Sequence, residues 1–277
     1  MIAHALGTIN ENTYTNSEAA FRKSFSAGFE YLEADLALTN DQQIVLYHHN
    51  QPRTESEKCW RRKKAFQQSW LDLSRKKYAD KYPVLKLERF LSLLDEFSST
   101  HIILDIKTRN KKKVINAKRP DEISYLNAFS LKHHKNKDKN ILKNTLFRFL
   151  SWSDSNRVYP HKKIIEELIT HCDNKLLNRL IPQVDKYSSI IIDRLYNFPI
   201  KIWKPSQGAI EQEFLDASQN RCKYISLKAT CISDIEVQLS KQYDIKILVY
   251  GTNNQSIIES LYKQGVSGFY VDSFHQI

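Results

Sequence analysis

Glu33 and Asp35 stand two residues apart in the run YLEADLAL, so on a strand both carboxylates point to one face. Other short apolar runs carry His4 in IAHAL, His48 in IVLYHH and Asp105 in IILDIK. Three carboxylates converging on one place repel each other unless a cation neutralises them, and an all-oxygen ligand set selects Mg²⁺ or Ca²⁺ over Zn²⁺. A divalent ion flanked by two imidazoles suits phosphodiester cleavage. The metal neutralises phosphoryl oxygens, one histidine takes a proton from the attacking oxygen, and the other protonates the departing alkoxide. Singly, each residue has a plainer explanation: an E-x-D on an exposed strand, a buried hydrogen-bonded histidine, an Asp105–Lys107 ion pair. The ordered set, with each member near the C-terminal end of an expected strand, is what points to a site.

To meet, residues so far apart in sequence must share one end of a sheet. Short apolar runs alternate with helical periods along the chain, the pattern of βα repetition. Strands are expected at residues 2–6, 31–38, 102–107, 179–184, 199–204, 224–228, 246–250 and 268–272, with helical stretches between them, one at 141–152. The number suits a closed barrel, and no GxGxxG or GxxxxGK[ST] loop argues for an open nucleotide-binding sheet. The fold class is therefore α/β, a single (β/α)8 TIM-type barrel over residues 1–277. Irregular, basic insertions after the second and third strands, roughly 50–81 and 109–140, belong at the C-terminal mouth, where barrel enzymes build their sites. Lys204 and Gln183 close two expected strands, where a plain polar residue of the mouth and a substrate contact are equally good readings.

Composition is that of an ordinary globular protein, with 41% hydrophobic and 26% charged residues. No apolar run approaches the roughly 18 to 20 residues needed to span a bilayer. Cys59, Cys172, Cys222 and Cys231 are scattered without a CxxC pair, so reduced thiols and a cytoplasmic location are expected. The net charge of +11 is concentrated in residues 53–81 and 107–143, including Lys111, Lys112 and Lys113. Such stretches suit an anionic surface or polymer, but a solvated basic face has the same composition, and no specific nucleic acid is indicated. His133 and His134 sit in a lysine-rich stretch without metal-ligand spacing.

The reading IAHALG, then YTNSEAAF, then GFEYLEADLALTNDQQIVLYHH resembles the glycerophosphodiester phosphodiesterase family, whose pattern runs IAHRG, then ENTxxAF, then GxxxIExDVxLTxDGxxVxxHD. YPVLKLERFLSLL, IILDIK, ILVYGTNN and GVSGFYVDSF are similar to later family segments, while residues 111–226 carry little resemblance. The resemblance implies His4 and His48 as the acid/base pair and Glu33, Asp35 and Asp105 as metal ligands, with Asp105 in place of a Glu. It further implies Lys107 and Asn16 at the substrate; Glu11-Asn12 imitates the motif at the wrong spacing from Phe21. Departures are Ala5 for the family's Arg, Thr15 for a Glu, His49 for an Asp and Tyr250 for a Trp. Loss of the Arg removes a bidentate phosphate clamp. The expected function is metal-dependent hydrolysis of a glycerophosphodiester or related small-molecule or polymer diester. The alternative is a catalytically decayed barrel that binds an anionic polymer or lipid through its basic insertions.

Overall fold

Tyr31–Leu38 is buried on both faces: Leu32, Ala34 and Leu36 turn one way, Glu33 and Asp35 the other. That pattern belongs to a strand inside a parallel sheet covered by helices. The computed structural model describes residues 1–48, 64–78, 81–107, 159–206 and 208–272. Its strands in chain order are β1 (Ile2–Ala3), β2 (Tyr31–Leu38), β3 (Ile44–Leu46), β4 (Lys77–Tyr78), β5 (Tyr82–Pro83), β6 (Leu85–Lys86) and β7 (His101–Ile106). They continue with β8 (Leu180–Val184), β9 (Ile202–Trp203), β10 (Tyr224–Lys228), β11 (Lys246–Tyr250) and β12 (Gly268–Val271). Eight of them run parallel in the order β1-β12-β11-β10-β9-β8-β7-β2, and β1 also pairs with β2. Ile2 opposes Tyr270 on one side and Tyr31 on the other, which closes the ring. The expected (β/α)8 barrel is the observed architecture.

The first strand is shorter than its apolar run. Pairing stops at Ala3, because Ala5 and Leu6 adopt φ of 48° and 64° in a tight turn. Three contacts hold that turn: Glu33 accepts the Ala5 N–H at 2.7 Å, Ser24 Oγ donates to the Leu6 carbonyl at 2.8 Å, and the Gly7 N–H donates to the His4 carbonyl at 2.7 Å. Gly7 is obligatory there, since at φ 95° a Cβ would lie 2.0 Å from Ser24 Oγ. The shortness of β1 leaves the distal edge of β2 open. Strand β3 takes that edge antiparallel, with Leu36 opposite Leu46, and β6 adds to β3.

Helices cover the ring. Glu18–Ser26 begins at Ser17, whose hydroxyl accepts the Ala20 N–H, and Gln255–Lys263 begins at Asn254, which accepts from Ser256 and Ile257. Their apolar stripes place Phe21, Phe90, Leu168, Ile192, Phe214 and Ile258 against the outward residues of the strands in one continuous core. Inside the barrel a separate apolar plug contains Ile2, Ile103, Ile181, Ile202, Leu248 and Tyr270. None of the described helices is long and apolar enough to cross a membrane.

The first insertion differs from its reading as irregular. Its described part, residues 64–78, contains a helix at Trp70–Ser74 and the strand β4, which pairs with β5. Ala65, Leu73 and Tyr78 pack with Ala37, Val45, Tyr47, Tyr82 and Val84 into a second cluster on the face of β2 that carries Glu33 and Asp35, beyond the barrel mouth. Residues 49–63, the insertion at 109–140, and the helix expected at 141–152 lie outside the described residues.

Candidate active site

Strand alternation decides which side chains enter the barrel mouth. On β2 these are Glu33 and Asp35; on β7, Asp105. Asp35 and Asp105 are direct partners in the β2–β7 register, and Glu33 lies one inward position deeper. Glu33, Asp35 and Asp105 are all buried, and each offers a carboxylate oxygen within 4.8 Å of the others. A single cation can span that separation.

Two of the carboxylates are oriented by the loop between β1 and the first helix. Glu33 Oε2 receives the Ala5 N–H, a bond that the left-handed Ala5 backbone makes possible. Asn16, also left-handed at φ 45°, grips Asp35 from both ends. Its Nδ2 donates to Asp35 Oδ2 at 2.7 Å, and its Oδ1 accepts the Asp35 N–H at 3.0 Å. Asn16 is fully buried, and its amide is given to Asp35.

Positive charge meets this cluster from two strands. The Lys107 ammonium stands against Asp35 Oδ1 and Asp105 Oδ2, and the Lys204 ammonium lies 2.6 Å from the other Asp105 oxygen. Oδ1 of Asp35 is buried with no hydrogen-bond donor in line, despite the neighbouring Lys107. Three buried carboxylates with oxygens this close together form an all-oxygen donor set that fits a hard divalent cation.

His4 and His48 flank one tyrosine. Tyr14 meets the His4 ring edge-on at 4.7 Å between centroids and stacks on His48 at 4.8 Å. His4 Nδ1 lies 3.2 Å from Oδ1 of Asp272, immediately after β12. The histidines are thus gathered at the same mouth as the carboxylates.

Burial sets the protonation of these groups, and their neighbours correct it. Burial pushes the Glu33 carboxyl up, and Asp35 reinforces the effect, to about 7. Burial acts the same way on Asp105, but Lys107 and Lys204 outweigh it and hold the carboxylate well below its usual range. For Asp35, Lys107 and then His48 outweigh burial in the same sense. Burial opposes the Lys107 ammonium, yet Asp105 and Asp35 keep it firmly charged. For His4, burial opposes the imidazolium, while the Asp272 bond and the charges of Glu33 and Asp35 raise it to about 9.

Asp272 and Tyr14 were not singled out from sequence. Asp272 had a legible signal, an acidic residue at the end of the last expected strand in YVDSF. Tyr14 had none, because its neighbours come from β1 and from the segment after β3. His49, Lys111, Lys112, Lys113, His133 and His134 lie outside the described residues.

A model of the Glycerophosphoryl diester phosphodiesterase family matches residues 7–275 of the chain. Among solved structures, a glycerophosphodiester phosphodiesterase from Parabacteroides distasonis aligns with a TM-score of 0.66 at 11% identity, covering 98% of this chain and 91% of that one. An Oleispira antarctica phosphodiesterase, solved in complex with the product sn-glycerol-3-phosphate, gives 0.64 at 14% identity, with 98% and 92% covered. A glycerophosphodiester phosphodiesterase from Agrobacterium tumefaciens gives 0.59 at 9% identity, with 98% and 95% covered. At these identities the likeness is one of fold. No curated protein matches the sequence.

Proposed function

The chain belongs to the glycerophosphoryl diester phosphodiesterase family of phosphoric diester hydrolases, and from that premise we propose that it hydrolyses a glycerophosphodiester or a related alcohol–phosphate–alcohol linkage. In this reading Glu33, Asp35 and Asp105 hold a divalent cation, Mg²⁺ or Ca²⁺, and His4 and His48 are the acid/base pair. The observation that carries it is the convergence of three buried carboxylates with two imidazoles at one barrel mouth.

When bound, the cation supplies neutralisation of the phosphoryl oxygens as negative charge builds on them. The remaining work falls to side chains of this chain. His4, with Nδ1 held by Asp272, has Nε2 left to give a proton to the departing alkoxide. His48 takes the proton from the attacking oxygen. Lys107 balances Asp35 and Asp105 and offers a charge beside the phosphate, and Asn16 fixes the angle of Asp35. Tyr14 packs against both imidazoles and so restrains their rings.

The test is hydrolysis of a glycerophosphodiester with and without divalent metal, in wild type, His4→Ala and His48→Ala. Loss of either general catalyst should lower kcat by roughly 10² to 10⁴ with an alkyl leaving group. His4→Ala should be far milder with bis(p-nitrophenyl) phosphate, whose phenolate leaves without a proton. Equal loss on both substrates would remove His4 from the acid role, and metal-independent turnover would remove the cation.

A further inference from the structure

Lys204 follows β9, and its ammonium is the second cation on Asp105: Lys107 holds Oδ2, and Lys204 lies 2.6 Å from Oδ1. We infer that Lys204 is the anion-recognition residue of this mouth, the group that receives a non-bridging phosphoryl oxygen of a singly charged diester. The inference rests on the phosphodiesterase reading above and adds to it a residue that selects the substrate.

Charge balance is the first argument. A divalent cation and the Lys107 ammonium together cancel Glu33, Asp35 and Asp105, so the inner cluster as a whole carries no net positive charge. Lys204 brings the next positive charge, and a phosphodiester carries one negative charge. On the β1 side the Ala5 side chain is a methyl, its N–H is already given to Glu33, and the charge of His4 is paired with Asp272.

Exposure is the second argument. The Lys204 side chain is 42% exposed, against 25% for Lys107 and 10% for Asp105. Of the two ammonium groups on Asp105, Lys204 is the one that an arriving phosphate reaches first. It is also the one more easily drawn from the carboxylate when Asp105 is engaged by a cation.

Rigidity is the third. The Lys204 N–H donates to the Val184 carbonyl at 2.7 Å, which fixes its backbone to β8. On either side its neighbours converge on one buried carboxylate: Trp203 Nε1 donates to Glu213 Oε2 at 2.8 Å, and the Ser206 N–H and Oγ donate to Oε1 at 3.0 and 2.9 Å. The Lys204 backbone is therefore ordered before any ligand arrives, which lowers the entropy lost on binding. A compact ammonium on a fixed base suits a monoanion, where a planar guanidinium would favour two oxygens at once.

The experiment is calorimetric titration of sn-glycerol 3-phosphate, with and without Mg²⁺, into wild type, Lys204→Met and Lys204→Arg, alongside titration of Mg²⁺ alone. Lys204→Met should bind the phosphate about tenfold more weakly, the scale of one charge-assisted hydrogen bond, and Lys204→Arg should recover most of the loss. Its affinity for Mg²⁺ should be unchanged or higher, since one competitor for Asp105 is gone. The same variant should raise KM for a glycerophosphodiester more than it lowers kcat. If Lys204→Met binds the phosphate within twofold of wild type while Mg²⁺ binding tightens, Lys204 is only a counter-ion to Asp105 and the inference is overturned. If wild type fails to hydrolyse any glycerophosphodiester, the parent reading falls, yet a Lys204-dependent phosphate affinity would still establish the anion contact.

Discussion

Nδ1 of His4 lies 3.2 Å from Oδ1 of Asp272, a contact that ties the first strand of the ring to the last. Asp272 is itself clamped by Asn253, whose Nδ2 donates to Oδ2 at 2.6 Å and whose Oδ1 accepts the Asp272 N–H at 3.0 Å. The orientation of an imidazole beside the carboxylates is thus set from the loop after β11.

That clamp predicts a pH signature. Burial disfavours the His4 imidazolium, but Asp272, Glu33 and Asp35 raise it to about 9, above its ordinary 6.5. A raised folded value contributes stability that is complete below about pH 6.5 and is lost as pH rises through about 9. In metal-free protein, the gap in melting temperature between wild type and Asp272→Asn should therefore be wider at pH 6 than at pH 9.5. A constant gap over that range would show that Asp272 does not act through the charge of His4.

The carboxylates predict a ligand-dependent melting temperature. Mg²⁺ or Ca²⁺ at a hundredfold excess over its dissociation constant should stabilise wild type by about 2.7 kcal/mol. Glu33→Gln, Asp35→Asn and Asp105→Asn should each lose most of that rise. Scanning calorimetry with and without chelator reads the difference, and no rise in wild type at millimolar metal counts against the site.

Asn16 is predicted to be a stability residue before it is anything else. Asn16→Leu strands the buried Asp35 N–H and one carboxylate oxygen together. Two orphaned groups cost about 2–5 kcal/mol, and a left-handed φ of 45° suits Leu worse than Asn. Urea denaturation should show the loss with an unchanged m-value.

Tyr14 should matter through its ring and not its hydroxyl. Each aromatic pair contributes about 0.5–1.5 kcal/mol, so Tyr14→Phe should keep the spacing of His4 and His48 and most of the activity. Tyr14→Ala should lower kcat at least several-fold with little change in metal binding. Equal loss in both variants would assign the role to the phenol.

Glu213 predicts sensitivity to acid at the base of the Lys204 loop. Burial raises its carboxyl, but Trp203, Ser206 and the Gly208 N–H more than reverse this and lower it from 4.5. A lowered folded value contributes stability above about pH 4.5 that is lost as pH falls below it. Glu213→Gln should therefore be less stable than wild type at pH 7, and the gap should narrow in thermal melts as pH falls below 4.5.

Much of the barrel was legible because strand parity and strand length are written in side-chain type. Tyr31–Leu38, Tyr224–Lys228 and Lys246–Tyr250 form over the residues their apolar pattern marks. The early stop of β1 was not, since apolar letters do not report that Ala5 and Leu6 turn left-handed. Strand β9 is shorter than its run; its preceding Lys201, a residue type that reads as surface, is buried with its ammonium on Asp193 and the Asn220 carbonyl. Residues 64–78 were read as irregular because the five-residue helix Trp70–Ser74 is too short to display a period. At the site, E-x-D on β2 marked its own geometry. Lys204 and Asp272 were legible as strand ends, but the groups they meet, like the place of Tyr14, depend on which strands become neighbours, and only the closed ring supplies that.

Ring closure rests on just two residues of β1, Ile2 and Ala3, each paired on both sides. His4 follows directly and finds its partner 268 residues later in the chain. During synthesis the acidic strands β2 and β7 emerge early, while β12 and Asp272 come near the end of the described residues. A nascent chain can therefore pair β2 with β7 long before it can orient His4. Contacts of such long sequence separation form late, after the entropy of the intervening loop has been overcome. The order of translation thus separates assembly of the acidic cluster from acquisition of the proton-transfer geometry, and a ribosome-stalled chain ending before β12 should lack the second.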